Sequence, residues 1–272
     1  MAYDEAVLRA AFDRVAEAIE TTALQNPVNT WMRKAARREL LSTFPPGAVL
    51  LEIGCGTGAD AVFLAERGYR VAALDISDRM VELARDRIAA RDLEPNVLIR
   101  RGRLNDVVEE LLASPWYPFD GAYANFSLAY EESLQEVAET VRDLLKPGGW
   151  FVFTVPNKLC ISEPAVAIAR LHLGEVLGRF REPRWVTIRG SSLRVHAYTP
   201  RQVHRLLKGL FKIDGIAGLP VFLPPPYLYH SAFERLRETL ESFDDHFSAR
   251  FPWRLLGEST LFKVRKVASE PS

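Results

Sequence analysis

A chain of 272 residues, 48% hydrophobic and 26% charged, holds enough apolar material for one folded α/β domain with extra segments, and lies far from the composition of disordered chains. Its 35 Lys and Arg balance its 35 Asp and Glu, so no net field draws the protein to a polyanion, and nucleic acid is not expected as a partner. Cys55 and Cys160 are too few for a disulfide framework or a zinc ribbon, and Asp4, Glu5, Arg9 and Asp13 stand where a signal peptide would be apolar, which points to a cytoplasmic, reducing location.

Val7, Leu8, Ala11, Phe12, Val15 and Ile19 recur at helical spacing and predict an amphipathic first helix; a second, about Thr30 to Ser42, precedes the turn Pro45-Pro46-Gly47. Strands and helices then alternate: strand Ala48 to Ile53, helix Asp60 to Arg67, strand Arg70 to Asp75, helix Asp78 to Ala90, strand Val97 to Arg101, helix Val107 to Leu112. Strand Phe119 to Asn125 and helix Glu131 to Leu145 follow, and Lys146-Pro147-Gly148-Gly149 turns into strand Trp150 to Val155. This rhythm predicts a parallel sheet covered on both faces.

From Pro156 to Thr199 the pattern is irregular, with Ala165 to Leu177 helical and an Arg-rich stretch after it. The alternation returns with helix Pro200 to Gly209, which Thr199 caps, then strand Phe211 to Ile216 and, after a second irregular segment, strand Ser259 to Val267. Gly215 to Phe233 carries no Asp, Glu, Lys or Arg, but Pro220, Pro224, Pro225 and Pro226 break any spanning helix, so no membrane span is expected. The expected division is an N-terminal helical cap (1–46), a ligand-binding core (47–155), a cap insertion (156–199) and the C-terminal part of the core (200–272) with an insertion at 218–258.

Leu50-Leu51-Glu52-Ile53-Gly54-Cys55-Gly56-Thr57-Gly58 is an apolar strand with an acid near its end and glycines at alternate positions opening a helix. Glycine is needed where the backbone turns sharply and where a ligand lies against it. Dinucleotide sites begin similarly, but Glu52 would repel a pyrophosphate, whereas S-adenosylmethionine has no phosphate and carries an ammonium and a sulfonium. Asp75 ends the second strand, where an acid accepts from both ribose hydroxyls, or serves only as a loop acid beside a helix.

In these motifs the chain resembles the class I methyltransferases. Val49 to Gly68 looks like their first motif, Val71 to Met80 their acidic-loop motif, Phe119 to Tyr130 their fourth-strand motif and Leu144 to Val155 their Leu-Lys-Pro-Gly-Gly turn. The resemblance implies a Rossmann-like methyltransferase fold: a seven-stranded, mostly parallel sheet with helices on both faces, an N-terminal helical segment and two insertions forming a cap. It implies S-adenosyl-L-methionine as cofactor, with Gly54, Cys55, Gly56 and Gly58 under its methionine and ribose parts, Asp75 on the ribose diol, Ile76 and Met80 on the adenine, and the Asn125 backbone carbonyl on the ammonium. After the third strand, Gly102-Arg103-Leu104-Asn105-Asp106 departs from the Gly-Asp of many members. Either Asn105 or Asp106 accepts from the adenine amino group, or backbone groups near Arg103 and Leu104 read the base.

Methyl transfer from a sulfonium is an in-line displacement that needs no metal, and needs a base only for a protonated nucleophile. His196 is the candidate base, with a structural histidine as the alternative. Tyr130 and Tyr198 are candidates for the wall of an acceptor pocket, with a core aromatic as the alternative for Tyr130. Between Arg179 and Arg201 six arginines face one acid, Glu182, marking either an anionic acceptor or a solvated surface. On the second helix Arg33 is placed to meet the cofactor carboxylate, its neighbours Lys34, Arg37 and Arg38 facing water. Tyr227, Tyr229 and Phe233 after a triple proline suit either a rim of the pocket or packing on the N-terminal helices. The leading expectation is a small-molecule O- or N-methyltransferase; a nucleic-acid or protein methyltransferase, a non-catalytic cofactor-binding module and a dehydrogenase are the alternatives.

Overall fold

The chain opens with two helices, α1 (Glu5–Gln25) and α2 (Pro27–Thr43). Asn26 starts the second: its side-chain oxygen accepts from Val28 N and Asn29 N, and Pro27 takes the first helical position, where no N–H is needed. The computed structural model describes residues 5–162, 164, 184–188 and 190–267. The expected helix Ala165 to Leu177, His172, Arg179, Arg181, Glu182 and Arg189 lie outside these residues.

Strands β1 (Val49–Ile53), β2 (Arg70–Asp75), β3 (Val97–Arg101), β4 (Phe119–Ala124) and β5 (Leu145–Pro156) alternate with α3 (Ala59–Ala65), α4 (Asp78–Ala89), α5 (Val108–Leu112) and α6 (Leu134–Leu144). A hairpin, β6 (Arg184–Ile188) with β7 (Ser191–Val195), precedes β8 (Phe211–Leu219) and β9 (Ser259–Lys266). The main sheet has seven strands in the order β3-β2-β1-β4-β5-β9-β8. The five strands from β3 to β5 pair parallel, and β9 runs antiparallel to both β5 and β8. The expected Rossmann-like, mostly parallel sheet is therefore present.

Alternate side chains of the central strands enter different cores. Leu50, Val71, Ala73, Tyr123 and Val152 join Trp31, Leu40, Leu64 and Ala84 from α2, α3 and α4. Leu51, Ala72, Leu74, Phe151 and Phe153 join Leu111, Val137 and Val141 from α5 and α6. Burial on both faces explains why these strands read as apolar runs.

Several boundaries differ from expectation for local reasons. The Lys146-Pro147-Gly148-Gly149 turn is already part of β5, which pairs Leu145 with Phe119 and slips register before Trp150 meets Gly121. Helix α6 begins at Leu134, not Glu131, because the Ser133 hydroxyl accepts from Glu136 N, while Leu128–Tyr130 form a separate 3-10 turn. The expected helix Val107 to Leu112 is present as α5, and a 3-10 turn over Leu104–Asp106, closed where Asp106 accepts from Arg103 N, precedes it. Thr199 and Gln202 form a reciprocal cap on helix Pro200–Leu206, as expected. In the second irregular segment helix Arg237–Phe247 carries buried Asp244, whose carboxylate accepts from the backbone of Val221, Phe222 and Leu223 and so fixes the chain leaving β8. Among the described residues no helix is long and apolar enough to cross a membrane.

Candidate functional site

At the carboxyl ends of β1, β2, β3 and β4 the loops enclose a cavity of about 220 Å³. The stretch Glu52–Thr57, Asp75, Ile76 and Met80 line one side, and Gly102, Arg103, Asn125, Phe126, Ser127, Tyr130 and Glu131 the other. Leu8, Phe12 and Ile19 of α1 form the roof, with Arg33 of α2 beside them. The roof is tied down from outside: Asp13 accepts from Ser77 Oγ at 2.6 Å and from Arg79 N at 3.1 Å, and Glu17 pairs with Arg79 at 2.6 Å.

One end of the cavity is acidic. Asp60, which is 6% exposed, accepts from Arg37 Nε at 2.7 Å and from Asn125 Nδ2 at 3.0 Å, with Arg33 at 3.9 Å. Burial, reinforced by the Asp60 carboxylate, pushes the Glu52 carboxyl well above its usual range. The Tyr123 hydroxyl counteracts that rise. It stands outside hydrogen-bonding geometry, however, and Glu52 Oε2, Asn125 Oδ1 and Tyr123 Oη are all buried with no bond inside the protein. Orphaned acceptors facing a cavity are costly unless something donates to them.

The bend itself is built by Gly54 and Gly56. Both have positive φ, +73° and +53°. A Cβ on Gly54 would lie 2.3 Å from the Cβ of Ser127, whose hydroxyl donates to Ile53 O at 2.6 Å, so Gly54 lets β4 approach the loop. A Cβ on Gly56 would meet only Met80 Sδ, at 4.0 Å, and so would occupy cavity space. Asp75 accepts from Gly56 N at 2.8 Å and Ser77 N at 3.0 Å; burial raises its pKa and these bonds lower it. Burial, then the Asp75 and Glu52 carboxylates, push the Cys55 thiol well up, so Cys55 is an inert wall and not a nucleophile.

Between β2 and β3 the wall is Gly102 and Arg103. The Arg103 guanidinium pairs with Glu131 at 3.1 Å and donates to Tyr130 O at 3.1 Å, tying the segment after β4 across to the loop after β3. Burial raises the Glu131 carboxyl and Arg103 offsets part of that rise.

A second cavity, about 260 Å³, shares Phe126 and Tyr130 with the first. Its wall is largely apolar, from Met32, Ala129, Val186, Val195, Ala197, Pro226 and Tyr227, with Asn29, Thr154, Arg184, His196, Glu258 and Ser259 as polar points. Phe126, on the shared wall, holds a positive φ of 60° and donates its N–H to Thr154 Oγ1 at 2.6 Å. A strained non-glycine backbone of this kind persists where the surroundings over-determine it. Burial and the Glu258 carboxylate raise the Tyr130 hydroxyl.

Of the expected cofactor residues, Glu52, Gly54, Cys55, Gly56, Asp75, Ile76, Met80, Arg103 and Asn125 line the first cavity, as does Arg33. Gly58 does not: its φ of +73° opens α3, and a Cβ there would press on Ala84 Cβ at 3.0 Å, so helix packing accounts for it. Leu104 turns into the core with 1% exposure and lies outside the lining. Neither Asn105 nor Asp106 reaches the cavity, because Asn105 accepts from Thr140 and Asp106 caps Arg103. Tyr198 lines neither cavity; it packs against the sheet core, and its backbone bonds to Pro156 and Lys158. Arg37, expected to face water, is held by Asp60 and the Ala59 carbonyl. His196 lines the second cavity, with its backbone N–H donating to Ala129 O. Sequence reasoning missed Thr57, Asp60, Phe126, Ser127 and Glu131, and it expected the N-terminal helices as a cap without placing α1 over the first cavity. Only the roof had a legible signal, the apolar stripe containing Leu8 and Phe12. Among the described residues no group of three or more His, Cys, Asp or Glu is placed to hold a metal.

Residues 51–151 match the sequence profile of a family described as a methyltransferase domain. The chain is 28% identical over 158 residues to the demethylmenaquinone methyltransferase of Symbiobacterium thermophilum, covering 57% of this chain and 61% of that protein. It is 38% identical over 109 residues to the Arabidopsis thaliana "Probable protein arginine N-methyltransferase 6", covering 38% of this chain and 23% of that protein. In both cases it spans less than two thirds of the relative's length. Among solved structures, the Burkholderia thailandensis 1,6-didemethyltoxoflavin-N1-methyltransferase superposes with a TM-score of 0.59 at 18% identity, covering 96% of this chain and 88% of that one, a likeness of fold. Residues 51–151 thus form a methyltransferase domain, carried on a sheet with the fold of S-adenosylmethionine-dependent methyltransferases.

Proposed function

We propose that the protein methylates a small molecule held in the second cavity, with S-adenosylmethionine in the first. The observation that carries this reading is the shared wall: Phe126 and Tyr130 belong to both cavities, so a donor in one and an acceptor in the other meet there.

The first cavity suits the cofactor on its own chemistry. Glu52 Oε2 and Asn125 Oδ1 are buried acceptors that a cationic ammonium would satisfy, Arg33 is at hand for a carboxylate, and Gly56 leaves space that a Cβ would fill. Asp75 would accept from the ribose hydroxyls. Bound there, the cofactor supplies an activated methyl group on a sulfonium. The chain's own contribution is alignment of donor and acceptor, which in favourable cases accounts for about 7–11 kcal/mol of barrier lowering. Where the acceptor is a hydroxyl, His196 takes its proton. Helix α2, the β6–β7 hairpin and Pro226–Tyr227 wall the acceptor cavity, and the buried free thiols Cys55 and Cys160 support a cytoplasmic setting.

Calorimetry with S-adenosylhomocysteine, then transfer of labelled methyl to a panel of hydroxylated and amino aromatic compounds, tests this. Binding with transfer to a small acceptor is expected. A folded protein that ignores S-adenosylhomocysteine at millimolar concentration refutes it. A protein acceptor is the second reading, favoured by the Arabidopsis thaliana relative, and label on arginine peptides but on no small molecule would establish it.

A further inference from the structure

Neither carboxylate nor amide of the loop after β3 lines the first cavity: Asp106 accepts from Arg103 N and Asn105 from Thr140. A nucleoside in the first cavity still has to be told apart from others by its base. Given that Asp75 marks the ribose position at the end of β2, the base lies on the β2–β3 side, between Ile76 and Met80 and the Gly102-Arg103 wall. Beside that wall, the carboxylate that lines the cavity arrives from a different strand. Glu131, after β4, is drawn there by Arg103, which grips both its carboxylate and the preceding carbonyl. It lines the cavity, and the side chains of Arg103 and Glu131 are only 14% and 21% exposed.

We propose that Glu131, positioned by Arg103, is the residue that reads the base, accepting a hydrogen bond from the exocyclic amino group of adenine. This rests on the first cavity being the S-adenosyl site. The pairing is chemically selective: adenine presents an N–H donor at that edge, whereas hypoxanthine presents a carbonyl oxygen that a carboxylate repels. Because Ser133 starts α6 late, Glu131 stays outside the helix and its side chain remains available to the cavity. The Arg103 nitrogen that meets the carboxylate, Nη2, also donates to the Tyr130 carbonyl, so the pair is anchored to the backbone beside it.

The test measures calorimetric affinity for S-adenosylhomocysteine and for its inosine counterpart, S-inosylhomocysteine, on wild type and variants. Wild type is expected to prefer the adenine compound by roughly 10- to 100-fold, the usual span for a hydrogen bond to a charged group. Glu131→Ala should bring the ratio to about threefold or less, and Glu131→Gln, whose amide also donates, should shift it toward the inosine compound. Arg103→Met should lower the ratio with Glu131 intact, and Arg103→Lys should restore part of it. An unchanged ratio in Glu131→Gln, the variant least disturbing to the fold, overturns the proposal while leaving the cofactor reading standing. Failure of wild type to bind either compound overturns the cofactor reading itself, and this proposal with it.

Discussion

Replacing Gly54, Gly56 and Gly58 one at a time by alanine separates the part of the loop that seats a ligand from the part that holds the protein together. Their φ values of +73°, +53° and +73° place all three in the left-handed region, where an added Cβ costs roughly 1–2 kcal/mol. At Gly56 that is nearly the whole cost, since the nearest atom is Met80 Sδ at 4.0 Å. At Gly54 the new atom arrives 2.3 Å from Ser127 Cβ, and displacing that side chain disturbs its bond to Ile53 O. Overpacking then adds about 1–3 kcal/mol, for a total of roughly 2–5 kcal/mol. Thermal melts should show Gly56→Ala about 2–8 °C below wild type and Gly54→Ala about 4–20 °C below. Calorimetry with S-adenosylhomocysteine should show the reverse emphasis: Gly56→Ala loses about tenfold or more in affinity, while Gly58→Ala, whose Cβ meets Ala84 outside the cavity, stays within about threefold. A Gly56→Ala protein that binds like wild type refutes the placement of a ligand against this bend.

Other changes test other parts of the site. Asp75→Ala should weaken S-adenosylhomocysteine by about 1–3 kcal/mol if it holds the ribose hydroxyls, and unchanged calorimetric affinity removes that role. Glu52 has a folded-state pKa raised by burial, so the folded protein holds a proton that the unfolded chain releases. Urea unfolding should therefore show stability falling as pH rises from about 4.3, and Glu52→Gln should flatten that part of the profile; an equal slope in both proteins contradicts the assignment. Asp244→Ala strips the acceptor from three backbone N–H groups and should cost about 3 kcal/mol or more in urea unfolding, with Asp244→Asn losing less; equal losses would mean the carboxylate does not anchor the chain after β8. With an acceptor hydroxyl in hand, His196→Gln should lower kcat by about 10²–10⁴-fold and remove a limb of the pH–rate profile, and an unaltered kcat excludes it as the base.

The sheet was legible because its central strands are buried on both faces, leaving runs such as Leu50, Leu51 and Ile53 that differ plainly from the amphipathic helices between them. The glycine bend and Asp75 were legible because local backbone geometry needs those residue types. What escaped were roles set by distance along the chain. Asp60 reads as an ordinary residue of a helix's first turn, and only folding brings Arg37 and Asn125 to it. Glu131 reads as helical until the Ser133 cap is seen, and nothing near it in sequence announces Arg103. Tyr198 shares its side of the segment with His196, their rings 6.4 Å apart, but it packs on the sheet core, a depth that the local sequence does not announce. Gly58 shows that one motif can mix purposes, two of its glycines shaping the loop beside the cavity and the third letting α3 lie against α4.

The α1 roof has a thermodynamic corollary. Its inner face, Leu8, Phe12 and Ile19, looks onto the cavity, while its outer fastening to α4 rests on Asp13 and Glu17 with Ser77 and Arg79. Whatever fills the cavity gives the helix an additional surface to lie on, so occupancy and helix docking reinforce one another by the same free energy in both directions. Hydrogen exchange along α1 thus becomes a gauge of cavity occupancy, and loosening the Asp13 fastening from the far side of the helix is felt as weakened binding by a ligand that never touches it.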